Sequence, residues 1–295
     1  VFKFFKRKYM KKIIYFVEFL SVEFLFIICR IFGYKSASNF GFFIGKNFGN
    51  FFRKKKSIIE NLHKSKIAIK IPENQFVNNV LGNYGRILAE YPFLKDFRKN
   101  KLEQFIKIDG IENLNKIKNN NKPVVFISGH FNNFELMAMQ IEKNGINLAA
   151  IYRPLNNVFL NKTMEQIRTK YICKNQIKKG RSGTRQILEN LKKGNSIALM
   201  IDQRVTEGIK IDFFGNLAST TTIPAQIIKK YECDLVPIYI ERLEKYNFKM
   251  YVSQPIAINS EKSQEEISKH LNKILEKMIL KNPDQWIWTH NRWKK

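Results

Sequence analysis

The sequence predicts an α/β fold: a largely parallel, mixed sheet flanked by helices, behind an N-terminal membrane-anchor helix. Three observations lead there. From residue 105 onward, short apolar runs alternate with longer amphipathic segments, the rhythm of strands joined by helices. From Ile13 to Phe32 the chain is apolar over nearly the length of a bilayer core. No internal repeat or long Pro/Gly/Ser linker interrupts the remainder, so residues 36–295 read as one domain behind an anchor at 1–35. With 295 residues and 44% hydrophobic content, a sizeable core can be buried.

The anchor reads IIYFVEFLSVEFLFIICRIF. Glu18, Glu23 and Arg30 interrupt it, each costing roughly 2.5–3.5 kcal/mol at a bilayer centre. A spanning helix and a shallow one therefore both stay open, beside the plainer reading of a buried helix. Basic residues flank both ends: Lys3, Lys6, Arg7, Lys8, Lys11 and Lys12 before it, then Lys35, Lys46 and the run from Arg53 to Lys56. Positive charge on both sides places both flanks at the cytoplasmic face of a membrane. No small-residue cleavage site follows the apolar run.

Gln75 to Tyr91 carries apolar residues at helical spacing and ends at Pro92, which predicts a helix lying under the sheet. The strands are predicted at Val124–Ser128, Asn147–Tyr152, Ser196–Ile201, Leu235–Ile240 and Phe248–Val252. Helices are predicted at Phe134–Asn144, Val158–Lys170, Gly183–Lys193, Pro224–Tyr231 and Lys262–Lys281. Ligands of such a sheet bind at the carboxyl ends of its strands.

The formal charge of +27 calls for an anionic partner, whether nucleic acid, an anionic membrane surface or an acidic protein. Biased base composition accounts for part of the lysine. Cys29, Cys173 and Cys233 lie far apart, which fits neither a zinc site nor a disulfide framework and favours a reducing compartment.

Of four histidines, His130 stands apart. It follows the apolar run PVVFISG directly, at the end of a predicted strand and just before a helix. Glu135 comes five positions later, where the first helical turn can bring a carboxylate beside the imidazole. Such a pair fixes the ring tautomer and makes a general base, an effect of about 10²–10⁴-fold. Free backbone N–H groups at the helix start would add oxyanion stabilisation. By spacing alone the pattern is weak, and a histidine capping a strand end explains it as well. His63, His270 and His290 read as surface or structural. No HExxH run supports a metal, and no G-x-S-x-G elbow surrounds Ser128.

GHFNNFE, residues 129–135, resembles the HX4D/E block of lipid acyltransferases. YRPLNN at 152–157, DQR at 202–204, DFFG at 212–215 with TTT at 220–222, VPI at 236–238 and DQWIWTHNRW at 284–293 follow in order. Together they resemble the lauroyl/myristoyl (late) acyltransferases of lipid A biosynthesis. Members more often carry glycine and tryptophan where this chain has Asn132 or Asn133 and Phe134, and glycine-valine where it has Gly208-Ile209.

The resemblance implies a glycerolipid-acyltransferase-like fold and acyl transfer from acyl carrier protein to a hydroxyl of a Kdo-bearing lipid A precursor. The place is the cytoplasmic face of a bacterial inner membrane, with no metal or other cofactor. His130 is then the base and Glu135 its orienting partner. Asn132, Asn133, Arg153, Asp202, Gln203 and Arg204 are the expected substrate-binding residues, with the two arginines suited to phosphate or carboxylate groups. An arginine paired with a buried carboxylate such as Asp202 is the structural alternative. The carrier, the anionic lipid acceptor and the membrane surface are all negative, which suits the basic chain. A glycerolipid or lysophospholipid acyltransferase is the rival enzyme, although its third block resembles FPEGTRS rather than DQR. A basic, non-catalytic membrane or nucleic-acid-binding protein is the rival of another class, and no nucleic-acid-binding motif supports it.

Overall fold

A computed structural model of the chain describes the backbone of residues 2–294, and their side chains except at 2–8 and 181. Two helices come first, α1 (Phe2–Phe32) and α2 (Tyr34–Phe52), parted by Gly33 in a positive-φ conformation. Then follow α3 (Lys55–Ser65), α4 (Glu73–Glu90), α5 (Leu94–Arg98), β1 (Ile106–Asp109) and α6 (Ile111–Asn120). Next come β2 (Val125–Ser128), α7 (Glu135–Lys143), β3 (Leu148–Tyr152) and α8 (Val158–Ile167), which runs into a π-helical turn at Arg168–Ile172. The chain continues through β4 (Asn175–Lys178), α9 (Arg181–Lys192), β5 (Ser196–Met200), the hairpin β6 (Ile209–Phe213) and β7 (Asn216–Thr220), and α10 (Ile223–Tyr231). It closes with β8 (Leu235–Arg242), β9 (Phe248–Val252) and α11 (Gln264–Lys281). Local chemistry marks several of these ends. Asn157 caps α8 through its side-chain oxygen, and Ser263 with Glu266 forms a capping box on α11.

The main sheet runs β1-β9-β8-β2-β5-β3-β4. Five strands, β8 through β4, are parallel, while β9 pairs antiparallel with β8 and β1 runs parallel with β9. This is the predicted mixed sheet. Its central strands are buried on both faces, which is why β2 and β8 read as nearly unbroken apolar runs. The chain reverses direction across the sheet after β4, and for this strand order the right-handed crossover rule assigns α7 and α8 to one face and α9 and α10 to the other. β5 is thereby inserted between β2 and β3.

Two expectations change. The α4 helix does not lie under the sheet but packs along α2, where a side chain on Gly85 would collide with the Gly41 carbonyl. Glycines at the crossing let the two backbones touch. Among the described residues no helix is long and apolar enough to cross a membrane, because Glu18, Glu23 and Arg30 break the run in α1. The basic flank at Lys3, Lys6, Arg7 and Lys8 lies outside the residues whose side chains are described. Beyond it, α1 and α2 present large apolar side chains to solvent, among them Phe24, Ile31, Phe43, Phe51 and Phe52. The tail packs inward instead: Trp286, Trp288 and Trp293 are all buried.

A buried ion pair ties these parts together. Glu90, at the end of α4, receives both terminal nitrogens of Arg242 from β8 at 2.7 and 2.9 Å, and Ser38 of α2 at 2.6 Å.

Candidate active site

In the sheet, Ser128 at the end of β2 is in register with Met200 at the end of β5. His130 and Asp202 each stand two residues beyond that pair, so adjacent parallel strands deliver them to one place. The His130 ring Nδ1 lies 2.7 Å from Asp202 Oδ1. Asp202 Oδ2 accepts the His130 backbone N–H at 2.6 Å and the Trp286 indole N–H at 2.9 Å. The carboxylate is fully buried, whereas the imidazole is 19% exposed and borders a cavity of about 470 Å³.

The expected contact between His130 and Glu135 is absent, and Asp202 takes that place. Asn132 adopts a left-handed conformation (φ 43°) in the connecting loop, and α7 then begins with Glu135 aimed at Arg168. Glu135 Oε1 accepts from Arg168 Nε at 2.9 Å and from the Tyr91 hydroxyl at 2.9 Å, with Arg168 Nη2 at 2.8 Å. Glu135 still lines the cavity, and its charge still acts on the ring. Burial alone would make His130 less basic. The charge and hydrogen bond of Asp202, with the charge of Glu135, outweigh it and hold the imidazole above its ordinary pKa. Burial pushes Asp202 the other way from His130, whose charge and hydrogen bonds prevail and keep the carboxyl below its usual range.

The remaining expected site residues divide. Arg153 is exposed and Gln203 half-buried on the cavity wall, together with Arg53, Lys179 and His290. Burial, and then the neighbouring charge of Arg153, lower the Lys179 pKa. Asp202, expected among the substrate-binding residues, has both its oxygens committed inside the protein. Asn132 and Asn133 are also buried. The Asn132 side chain donates to Gln285 Oε1, and Asn133 donates to Glu90 at 3.2 Å, so both asparagines shape the loop that carries His130. Arg204 does not line the cavity; its backbone N–H donates to His290 Nε2 at 2.8 Å. Burial lowers the His290 pKa, consistent with a neutral ring accepting that bond. The loop's N–H groups are largely spent as well, since those of His130, Phe131, Asn132, Leu136 and Met137 all donate within the protein.

Sequence reasoning passed over Arg168, Tyr91 and Trp286 and read His290 as peripheral. Arg168 is the consequential omission: it lines the cavity, and its Nη1 is buried with no partner among the described residues. Nothing in its local sequence marks it, because the Glu135 partner lies on another helix. Among the described residues no group of three or more His, Cys, Asp or Glu side chains is placed to hold a metal ion.

The family model for bacterial lipid A biosynthesis acyltransferases matches residues 3–295. The lipid A biosynthesis palmitoleoyltransferase of Escherichia coli (strain K12) is 24% identical over 217 residues, covering 71% of this chain and 68% of that protein. A lipid A biosynthesis acyltransferase of Shigella flexneri gives the same figures, 24% over 217 residues with 71% and 68% coverage. Among solved structures, the 1-acyl-sn-glycerophosphate acyltransferase of Thermotoga maritima aligns at a TM-score of 0.41 and 14% identity, over 86% of this chain and 96% of that one.

Proposed function

Because the chain belongs to the bacterial lipid A biosynthesis acyltransferase family, and is an acyltransferase, we propose that it moves a fatty acyl group from acyl carrier protein to a hydroxyl of a Kdo-bearing lipid A precursor. The observation that carries the mechanism is the His130 ring, bonded at Nδ1 to buried Asp202 and facing the cavity. With Nδ1–H donated to Asp202, the neutral tautomer keeps its lone pair on Nε2. That nitrogen takes the proton of the acceptor hydroxyl as its oxygen attacks the thioester carbonyl carbon. The carbonyl electrons move onto oxygen, in the cavity that the positive charge of Arg168 borders. Collapse of the tetrahedral intermediate breaks the C–S bond, and the imidazolium returns its proton to the departing thiolate. Glu135 serves by holding Arg168. Asp202 is a positioning residue, since it acts through the ring.

At the cavity rim Arg153 and Lys179 are suited to phosphate groups, which both the proposed acceptor and the carrier's phosphopantetheine arm present. Placement at the cytoplasmic face of the inner membrane follows from the same reading. The apolar surface of α1 and α2, with Lys35, Lys46 and the basic run from Arg53 to Lys56, fits a pair of helices lying in an anionic membrane interface.

The test is acyl transfer from carrier thioesters of graded length to a tetraacyl lipid A precursor, read as a mass increase of one acyl group on the lipid. Wild type gains the mass, and His130→Ala loses turnover by at least about 10²-fold. Absence of transfer from every donor refutes the proposal.

A further inference from the structure

Two histidines of the cavity wall hang from the segment Asp202-Gln203-Arg204. His130 is bonded through Nδ1 to Asp202 Oδ1 at 2.7 Å, and His290 accepts the Arg204 backbone N–H on Nε2 at 2.8 Å. Those two bonds set the rings to opposite tasks. His130 gives its Nδ1–H to the carboxylate and keeps a lone pair on Nε2. A backbone N–H can only donate, so His290 spends its lone pair on Nε2, and the neutral ring carries its proton on Nδ1. That Nδ1 has no hydrogen-bond partner among the described residues and is not buried, and the ring lines the same cavity as His130. Burial lowers the His290 pKa; the charge of Asp202 opposes this, and the charges of Arg292, His130 and Lys179 reinforce it. The tail holds the ring still. Buried Asn61 donates to the carbonyls of Trp288 and His290 at 2.7 and 2.9 Å, the Thr289 hydroxyl pairs with that of Tyr84 at 2.7 Å, and the Trp286 indole is bonded to Asp202.

We infer that His290 is a second catalytic residue, a neutral Nδ1–H donor that binds the carbonyl oxygen of the thioester and stabilises the oxyanion formed on it. The inference rests on the acyl-transfer reading, which otherwise leaves that oxygen without a direct donor. The N–H groups of the loop that carries His130 are largely spent inside the protein, and Arg168 is engaged by Glu135. Arg53, Arg153 and Lys179 also line the cavity, but all three are exposed, where water weakens the pull of a charge. A neutral imidazole adds no charge to oppose the imidazolium that forms on His130. Its N–H dipole is also fixed before the substrate arrives, so the reaction spends nothing on reorienting it. No proton leaves His290. Its hydrogen bond strengthens as the carbonyl electrons move onto oxygen and relaxes when the C–S bond breaks and the carbonyl re-forms.

The test uses the full chain and separates the donated proton from the scaffold. His290→Phe keeps a ring but removes both bonds. His290→Gln can keep both, because an amide oxygen accepts from Arg204 while its NH₂ group donates. Nδ1-methylhistidine installed at position 290 keeps the Arg204 bond and loses only the donated proton. In acyl transfer from carrier thioesters, His290→Phe and the methylated ring should each lower kcat about 10²–10³-fold with KM nearly unchanged, the effect of removing one oxyanion donor, and His290→Gln should recover most of the loss. A second readout needs no turnover: the infrared band of an isotope-labelled carbonyl in an acyl-pantetheine ketone, with CH₂ in place of the sulfur, bound to the protein. Hydrogen bonding polarises the carbonyl, so the band should lie at lower frequency in wild type and His290→Gln than in the other two. The methylated ring carries the test if His290→Phe fails to fold. A kcat within about tenfold of wild type for the methylated ring, or a carbonyl band that it leaves unmoved, overturns the inference. A band that responds to position 290 in a protein that transfers from no donor would keep His290 as a carbonyl ligand and refute the reaction.

Discussion

Replacing Asp202 by asparagine tests the site with little change of shape. Oδ2 of Asp202 accepts two N–H donors, from the His130 backbone and the Trp286 indole. An asparagine that kept those two bonds would have to place its oxygen there, which turns its NH₂ group towards His130 Nδ1. Two donors cannot face each other, so the ring would move its proton to Nε2, the nitrogen that must accept from the substrate. The opposite orientation rescues the tautomer but sets the amide against two backbone and indole donors, at about 1–3 kcal/mol for each buried group left unpaired. A wrong tautomer of this kind costs about 10⁴ in kcat in the serine-protease triad, and general-base loss costs about 10²–10⁴. The expected fall for Asp202→Asn is therefore about 10³–10⁴, with KM nearly unchanged. Removal of the carboxylate charge also takes away what holds the His130 pKa up, so the residual activity should keep its acidic limb at lower pH than wild type. The wild-type limb should lie above the ordinary imidazole range, with activity rising as pH climbs through it and the ring becomes neutral. Lipid mass spectrometry across pH supplies both readings. Asp202→Asn activity within about tenfold of wild type, or an unmoved limb, would refute the reasoning.

Three further outcomes are expected. Glu135→Gln leaves Arg168 without its counter-ion, and kcat should fall about 10²–10³-fold while the acidic limb shifts down, since the Glu135 charge also raises the His130 pKa; steady-state kinetics across pH checks it. Glu90→Ala strands Arg242, whose side chain is only 5% exposed, and should cost about 3–5 kcal/mol in denaturant unfolding. Replacing Phe51 and Phe52 by serine removes two side chains exposed by 84% and 81%, and should weaken binding to anionic vesicles about 10²-fold or more in co-sedimentation at fixed salt.

The sequence made some elements plain and hid others for identifiable reasons. Clusters of apolar side chains mark β2, β3, β5, β8 and β9, which were all legible within a residue or two, and β2 and β8, buried on both faces, read most plainly. The edge strands β1 (IKID) and β4 (NQIK) alternate with solvent and carry lysine, so no run marks them. The β6–β7 hairpin turns at Phe214 and Gly215, both at positive φ, where an Asn-Gly pair would have been the readable signal. His130 was legible from its place at a strand end. Asp202 has the same place on β5, but its adjacency to His130 was not readable, because β5 enters the sheet beside β2 only after β3 and β4 have been laid down. Spacing therefore favoured the nearer acid, Glu135, which the folded chain gives to Arg168.

That division between two acids explains how a motif glutamate can matter without touching the ring. Around the imidazole stand two carboxylates, Asp202 and Glu135, and one guanidinium, Arg168, so the cluster carries one net negative charge while His130 is neutral. In the proposed reaction the proton taken by Nε2 brings the cluster to neutrality at the moment an oxyanion forms nearby. If Glu135 were absent, Arg168 would cancel Asp202, and the same proton would create net positive charge in a largely buried site, against burial that already disfavours the imidazolium. His290 adds no opposing charge, because burial keeps it neutral beside the Arg204 N–H. The two carboxylates are therefore not interchangeable: one fixes where the proton sits on the ring, and the other decides whether the surroundings can accept it.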